Sequence, residues 1–176
     1  KVKLELGLIR NHYVGRTFIE PTQNIRSLGV KLKLSPTKTI VNNKSIILID
    51  DSLVRGTTCH KIVKMLFEAG AKEVHVRIAC PEIKYPDFYG VDMPTKDELL
   101  ANKRDIKEMC NYINATSLNF LSINGLYKAL AEKDRNNNYP EFSDHYFTGD
   151  YPIEPSDNLK GIKVKQLSLL SGKSSN

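Results

Sequence analysis

Ile46-Ile47-Leu48-Ile49-Asp50-Asp51-Ser52-Leu53-Val54-Arg55-Gly56-Thr57-Thr58 is the stretch whose reading decides the fold. Four large apolar residues lead directly into two adjacent carboxylates. A short loop holding Gly56 follows, and two hydroxyl residues open an amphipathic segment. The run 46–49 suits a strand buried on both faces, as in a parallel sheet. That reading puts Asp50 and Asp51 at the carboxyl end of the strand, where open α/β sheets bind ligands. The loop and helix start beyond them offer backbone N–H groups and the positive end of a helix dipole, which suit a phosphate. Acids beside such a cradle suit a sugar phosphate: they accept hydrogen bonds from ribose hydroxyls or help hold a divalent cation.

Outward from this stretch, the pattern is that of an α/β domain. A helix is predicted from about Thr57 to Ala69, with Ile62, Val63, Leu66 and Phe67 on one face and Gly70 at C′. Val74, Val76 and Ile78 alternate in a second strand, which completes a βαβ unit with a parallel crossover. Asn42-Asn43 makes a turn ahead of the first strand. Thr95 with Glu98 and Asp105 with Glu108 form capping boxes for two further helices, the second ending near Asn114. A strand over 118–123 and a helix over 125–133 are expected next. From Asp134 onward Asn and Pro residues break regular structure. The expected division is a partial domain over 1–133 and an extended, partly disordered arm over 134–176. Residues 10–37 are polar and weakly periodic, which is long for a connection and suits a lid or binding segment.

Composition narrows the function classes. The chain has 176 residues and 40% hydrophobic content, enough for one domain with a core. Its net charge of +6 comes without a basic cluster interleaved with aromatics, so nucleic acid is not the expected partner. The local concentration of positive charge over 26–38 suits a basic loop over an anionic small molecule. Cys59, Cys80 and Cys110 are widely spaced, which supports neither a disulfide framework nor a zinc site and points to a reducing cytoplasm. No apolar run approaches a membrane span and no signal-peptide pattern opens the chain. Lys1 rather than Met at the start suggests a piece of something longer. The four histidines share no metal-site spacing and receive no catalytic role; His75 is expected to face solvent.

The strand, acid pair and Gly-Thr loop resemble the phosphoribosyl-pyrophosphate (PRPP) signature of type I phosphoribosyltransferases. Together with Gly7-Leu8-Ile9-Arg10-Asn11-His12-Tyr13-Val14-Gly15-Arg16-Thr17-Phe18-Ile19, the basic stretch Val30-Lys31-Leu32-Lys33-Leu34, Phe88-Tyr89-Gly90-Val91-Asp92 and Phe147-Thr148-Gly149-Asp150-Tyr151-Pro152, the chain is similar to the amidophosphoribosyltransferase family from about residue 4 to 152. The resemblance implies the type I fold, a parallel sheet flanked by helices, here incomplete at its N-terminal side. It implies an enzyme of purine synthesis that adds ammonia, released from glutamine by a separate N-terminal glutaminase half, to C1 of PRPP. The products are 5-phosphoribosylamine and pyrophosphate.

Carried over residue by residue, the resemblance implies that Asp50 and Asp51 face the ribose hydroxyls and Mg²⁺. Ser52, Leu53, Val54, Arg55, Gly56, Thr57 and Thr58 wrap the 5′-phosphate. Arg10, Arg16, Lys31 and Lys33, on a flexible lid, bring positive charge to the pyrophosphate. The blander readings are solvated loop acids, N-capping by Thr57 or Thr58, and a solvated basic loop. Family precedent is a homo-oligomer. Some members hold an iron–sulfur cluster on four cysteines, but three of those positions read Asp87, Ser143 and Tyr146 here, so no cluster is expected. The rival readings are a nucleobase phosphoribosyltransferase, which would lack the long lid, and a truncated, non-catalytic PRPP- or nucleotide-binding remnant or regulator.

Overall fold

The computed structural model describes residues 2–11, 34–91, 95–130, 134–138 and 140–153. Strand β1 (Leu8–Arg10) pairs antiparallel with β2 (Leu34–Pro36), so the two ends of the long polar segment meet. A single helical turn, α1 (Lys38–Val41), follows. The apolar run forms β3 (Ser45–Asp50), which lies parallel to β4 (Glu73–Ile78); β4 in turn lies parallel to β5 (Ser117–Phe120). Sheet order is therefore β3-β4-β5, with helix α2 (Thr57–Glu68) as the first crossover.

Helix α2 stops where the sequence predicts. Gly70 at φ 97° donates to the Phe67 carbonyl and Ala71 donates to that of Leu66, the paired bonds of a Schellman ending. Its apolar face packs Val63 and Leu66 against Val74 and Val76 of β4. Helices α3 (Leu100–Lys103) and α4 (Ile106–Ile113) add Leu100, Met109 and Ile113 to the same core. Each side chain so buried contributes about 1.5–3 kcal/mol relative to exposure. Both predicted capping boxes form: Asp105 with Glu108 starts α4, and Thr95 with Glu98 starts a 3₁₀ turn at Lys96–Glu98. No helix among the described residues is long and apolar enough to cross a membrane.

The structure corrects four expectations. Strand β3 is not covered on both faces among the described residues: Ile46 and Leu48 pack on the core, but Ile47 and Ile49 are 47% and 68% exposed. A parallel sheet needs a layer on each face, and α2 and α4 share a single core with the same face of β4 and β5. The helix expected over 125–133 begins earlier, as α5 (Ile123–Ala129), because Ser122 accepts the Gly125 amide at 3.0 Å and so caps within the apolar run. His75 is half-buried and hydrogen-bonded through Nδ1 to Ser117 Oγ at 2.8 Å. The segment after Asp134 holds a short helix, α6 (His145–Thr148).

That last segment is tied down by buried polar groups. Arg135 donates from Nε to Asp144 Oδ2 at 2.6 Å and from Nη2 to Asp144 Oδ1 at 3.1 Å, and Tyr127 donates to Asp144 Oδ2 at 2.8 Å. Arg135 and Asp144 side chains are only 6% and 4% exposed. The local composition gave no hint of these longer-range pairs. Residues 154–176, the greater part of the expected arm, lie outside the described residues.

Candidate phosphosugar site

Asp50 ends β3, and its carbonyl accepts the Ala79 amide at 2.9 Å, which fixes it at the carboxyl edge of the sheet. The Asp51 amide donates to Asp50 Oδ1 at 3.1 Å, and Ser52 Oγ donates to Asp51 Oδ1 at 3.0 Å. The two acids differ in setting, for Asp51 is exposed and Asp50 half-buried. Burial pushes the Asp50 carboxyl above its ordinary value; the Asp51 amide offsets part of the shift and the Asp51 charge adds to it. Asp50 shares the face of β3 that carries Ile46 and Leu48, at the edge of the core, whereas the face carrying Ile47 and Ile49 is exposed.

The loop after them is held from below. Leu53 is 3% exposed and belongs to the core, while the Val54 carbonyl accepts the Leu100 amide at 2.9 Å. Arg55 donates through Nε to Glu98 Oε1 at 3.2 Å, with Nη2 also 3.2 Å away. Gly56 takes φ 75°, and a Cβ there would come within 2.7 Å of Leu100 Cδ2 and 3.0 Å of Tyr112 Cε1. Glycine is required on both counts. It also occupies the N-cap of α2, which has no side-chain cap bond and no acid in its first turn. Thr57 and Thr58 are therefore the first helical residues, not the cap. Glycine has no side-chain oxygen to offer the first-turn amides of α2.

These residues can hold a phosphate on the helix start and two hydroxyls on the acids. No group of three or more His, Cys, Asp or Glu gathers as a metal cage among the described residues. Two adjacent carboxylates fit a cation such as Mg²⁺, which keeps waters and substrate oxygens in its shell. Cys59, just inside α2, is pushed up to about 12 by burial and then by the Asp50 charge, so it stays a thiol. Arg10 lies on β1 and is exposed; Arg16, Lys31 and Lys33 lie outside the described residues.

Asp87, Ser143 and Tyr146 converge around His145. Asp87 Oδ1 is 2.9 Å from His145 Nε2, Ser143 Oγ is 3.0 Å from His145 Nδ1, and Tyr146 bonds to Asp87. Burial acts to raise the Asp87 carboxyl, but the Val91 amide, His145 and other donors outweigh it and hold it low. Sequence reading gave His145 no partner, and it missed Glu98, Leu100 and Tyr112 as the wall of the loop. The Thr95–Glu98 capping box was the available signal for that wall, because it fixed one oxygen of Glu98 and left the other to reach elsewhere.

A parallel sheet whose first strand delivers adjacent acids to an uncapped helix start defines the type I phosphoribosyltransferase class. No family model matches the chain. Sequence comparison nonetheless aligns it with amidophosphoribosyltransferases: 56% identity to that of Rhizobium etli over 97% of this chain and 34% of the relative. It is 52% identical to chloroplastic amidophosphoribosyltransferase 2 of Arabidopsis thaliana, over 94% of the chain and 28% of that relative. Among solved structures, the glutamine PRPP amidotransferase from B. subtilis complexed with ADP and GMP superposes with TM-score 0.72 at 49% identity, covering 85% of this chain and 33% of the other. The chain belongs to the amidophosphoribosyltransferase family and corresponds to the C-terminal, phosphoribosyltransferase part of its members. It spans about a third of the length of the curated relatives it matches.

Proposed function

We propose that this chain supplies the PRPP-binding part of an amidophosphoribosyltransferase, which transfers ammonia from glutamine to C1 of PRPP in the first step of purine synthesis. The observation that carries the reading is the carboxylate pair of β3 beside the uncapped start of α2. Asp50 and Asp51 accept the ribose 2′- and 3′-hydroxyls and hold Mg²⁺, which when bound neutralises charge on the pyrophosphate. Ser52–Thr58 take the 5′-phosphate on backbone N–H groups and hydroxyls. Arg10, at the end of β1, and Arg16, Lys31 and Lys33, in the segment between β1 and β2, serve the pyrophosphate. In the reaction the C1–O bond to pyrophosphate breaks, positive charge spreads over C1 and the ring oxygen, and the ammonia nitrogen bonds to C1 and loses a proton. The protein's task is to stabilise that charge and exclude water, which competes with ammonia.

The same reading assigns glutamine hydrolysis to a separate glutaminase half, homo-oligomeric assembly to the full enzyme, and a cytoplasmic site consistent with three widely spaced free thiols. It includes no iron–sulfur cluster, since Asp87, Ser143 and Tyr146 offer oxygen atoms bound up around His145. The test is ammonia-dependent release of pyrophosphate from Mg–PRPP, with and without a co-expressed glutaminase half. Turnover in the paired preparation is expected. Its absence in both, with PRPP still bound, favours a non-catalytic binding remnant.

A further inference from the structure

Four contacts, none of them part of a phosphate pocket, converge on the outer side of the 52–56 loop. The Leu100 amide binds the Val54 carbonyl, and the Leu100 and Tyr112 side chains close on Gly56. Glu98 takes the Arg55 guanidinium through Oε1 while its Oε2 accepts the Thr95 amide at 3.2 Å. Glu98 is therefore a bridge: one oxygen anchors the 3₁₀ turn that aims the Leu100 amide, and the other anchors the loop. Burial favours its neutral form, but the Arg55 charge and the Thr95 amide outweigh this and keep it ionised.

We infer that Glu98 is a positioning residue for the phosphate loop: it holds Arg55 on the outer wall, so that the 5′-phosphate of PRPP meets preset backbone amides instead of a mobile arginine. The inference rests on the site reading above and deepens it. Without this brace, Arg55 would be a long flexible cation at the mouth of the loop. Ordering it would then fall to the binding step, which weakens affinity. With the brace, that ordering is done during folding.

The conservative test is Glu98→Gln. Glutamine also satisfies a capping box, so the 3₁₀ turn and the Leu100 amide stay in place while the charge facing Arg55 is lost. Isothermal titration of Mg–PRPP into the 176-residue chain is expected to show about threefold weaker binding for E98Q than for wild type, given the half-exposed pair. The melting temperature should be unchanged. In an Arg55→Met background the same E98Q change is expected to have no further effect, because Glu98 acts through Arg55. Glu98→Ala, which loses the capping oxygen too, is expected to bind more weakly than E98Q. Binding by E98Q as tight as or tighter than wild type overturns the inference, as does an equal loss in the Arg55→Met background. Either result leaves the site reading intact. A wild-type chain that binds no PRPP overturns both.

Discussion

Replacing Gly56 by alanine attacks the turn at its tightest point. At φ 75° a Cβ is disfavoured by about 1–2 kcal/mol. It would also stand 2.7 Å from Leu100 Cδ2 and 3.0 Å from Tyr112 Cε1, below ordinary contact. Both are side-chain atoms, one buried and one part of a ring stacked under Arg104, so relief requires repacking, for which overpacked sites lose about 1–3 kcal/mol. Alanine restricts the unfolded chain and returns about 0.4–1 kcal/mol. The net expectation is a loss of about 3 kcal/mol, or about 6–12 °C in melting temperature at this chain length. Urea unfolding followed by far-UV circular dichroism measures it. Because Leu100 also carries the amide that holds Val54, Mg–PRPP affinity should fall as well, at temperatures where G56A is still folded. A G56A chain within about 0.5 kcal/mol of wild type, inside the ordinary range for an unconstrained surface site, would refute the claim that this backbone geometry is fixed by its wall.

Asp50→Asn should stabilise the chain slightly, by about 0.5–1 kcal/mol, since it removes a half-buried charge beside a second carboxylate, while abolishing Mg–PRPP binding; a destabilised variant that still binds contradicts the assignment. The raised Asp50 carboxyl also sets a pH dependence. Between the ordinary value of 3.8 and the raised one the folded chain holds more protons than the unfolded chain, so the Asp50 contribution to stability declines as pH rises through that window. Mg–PRPP binding should run the opposite way, weakening on acidification above the usual aspartate range, and titration calorimetry at stepped pH reads it. Asp51→Asn should weaken binding with little change in melting temperature, because its carboxylate is exposed. Arg135→Met leaves the buried Asp144 without its charge partner and should destabilise by about 3–5 kcal/mol, with hydrogen exchange rising first over 140–150.

Local pattern carried most of the fold. The apolar run, the 3.6-residue stripe of α2 with Gly70 behind it, and the two capping boxes are each decided by neighbours a few residues apart, and each formed where expected. The acid pair and Gly56 were legible for the same reason. What escaped depends on distant partners. Ile47 and Ile49 carry no mark of which face is covered, and Arg55 finds Glu98 across 43 residues. His145 finds Asp87 across 58 residues, in a stretch whose prolines and asparagines suggested only irregular chain. Polar side chains that pair over such separations obey no sequence period: the capping box marked Glu98 and the phosphate loop marked Arg55, but nothing local joined the two, or His145 to Asp87.

A crystal of the chain grown with Mg²⁺ and PRPP tests the central claim most directly. The account predicts the 5′-phosphate on the amides of residues 53–58 and the ribose hydroxyls on Asp50 and Asp51. Sugar density elsewhere on the surface, with neither of those two acids in contact with it, would contradict it.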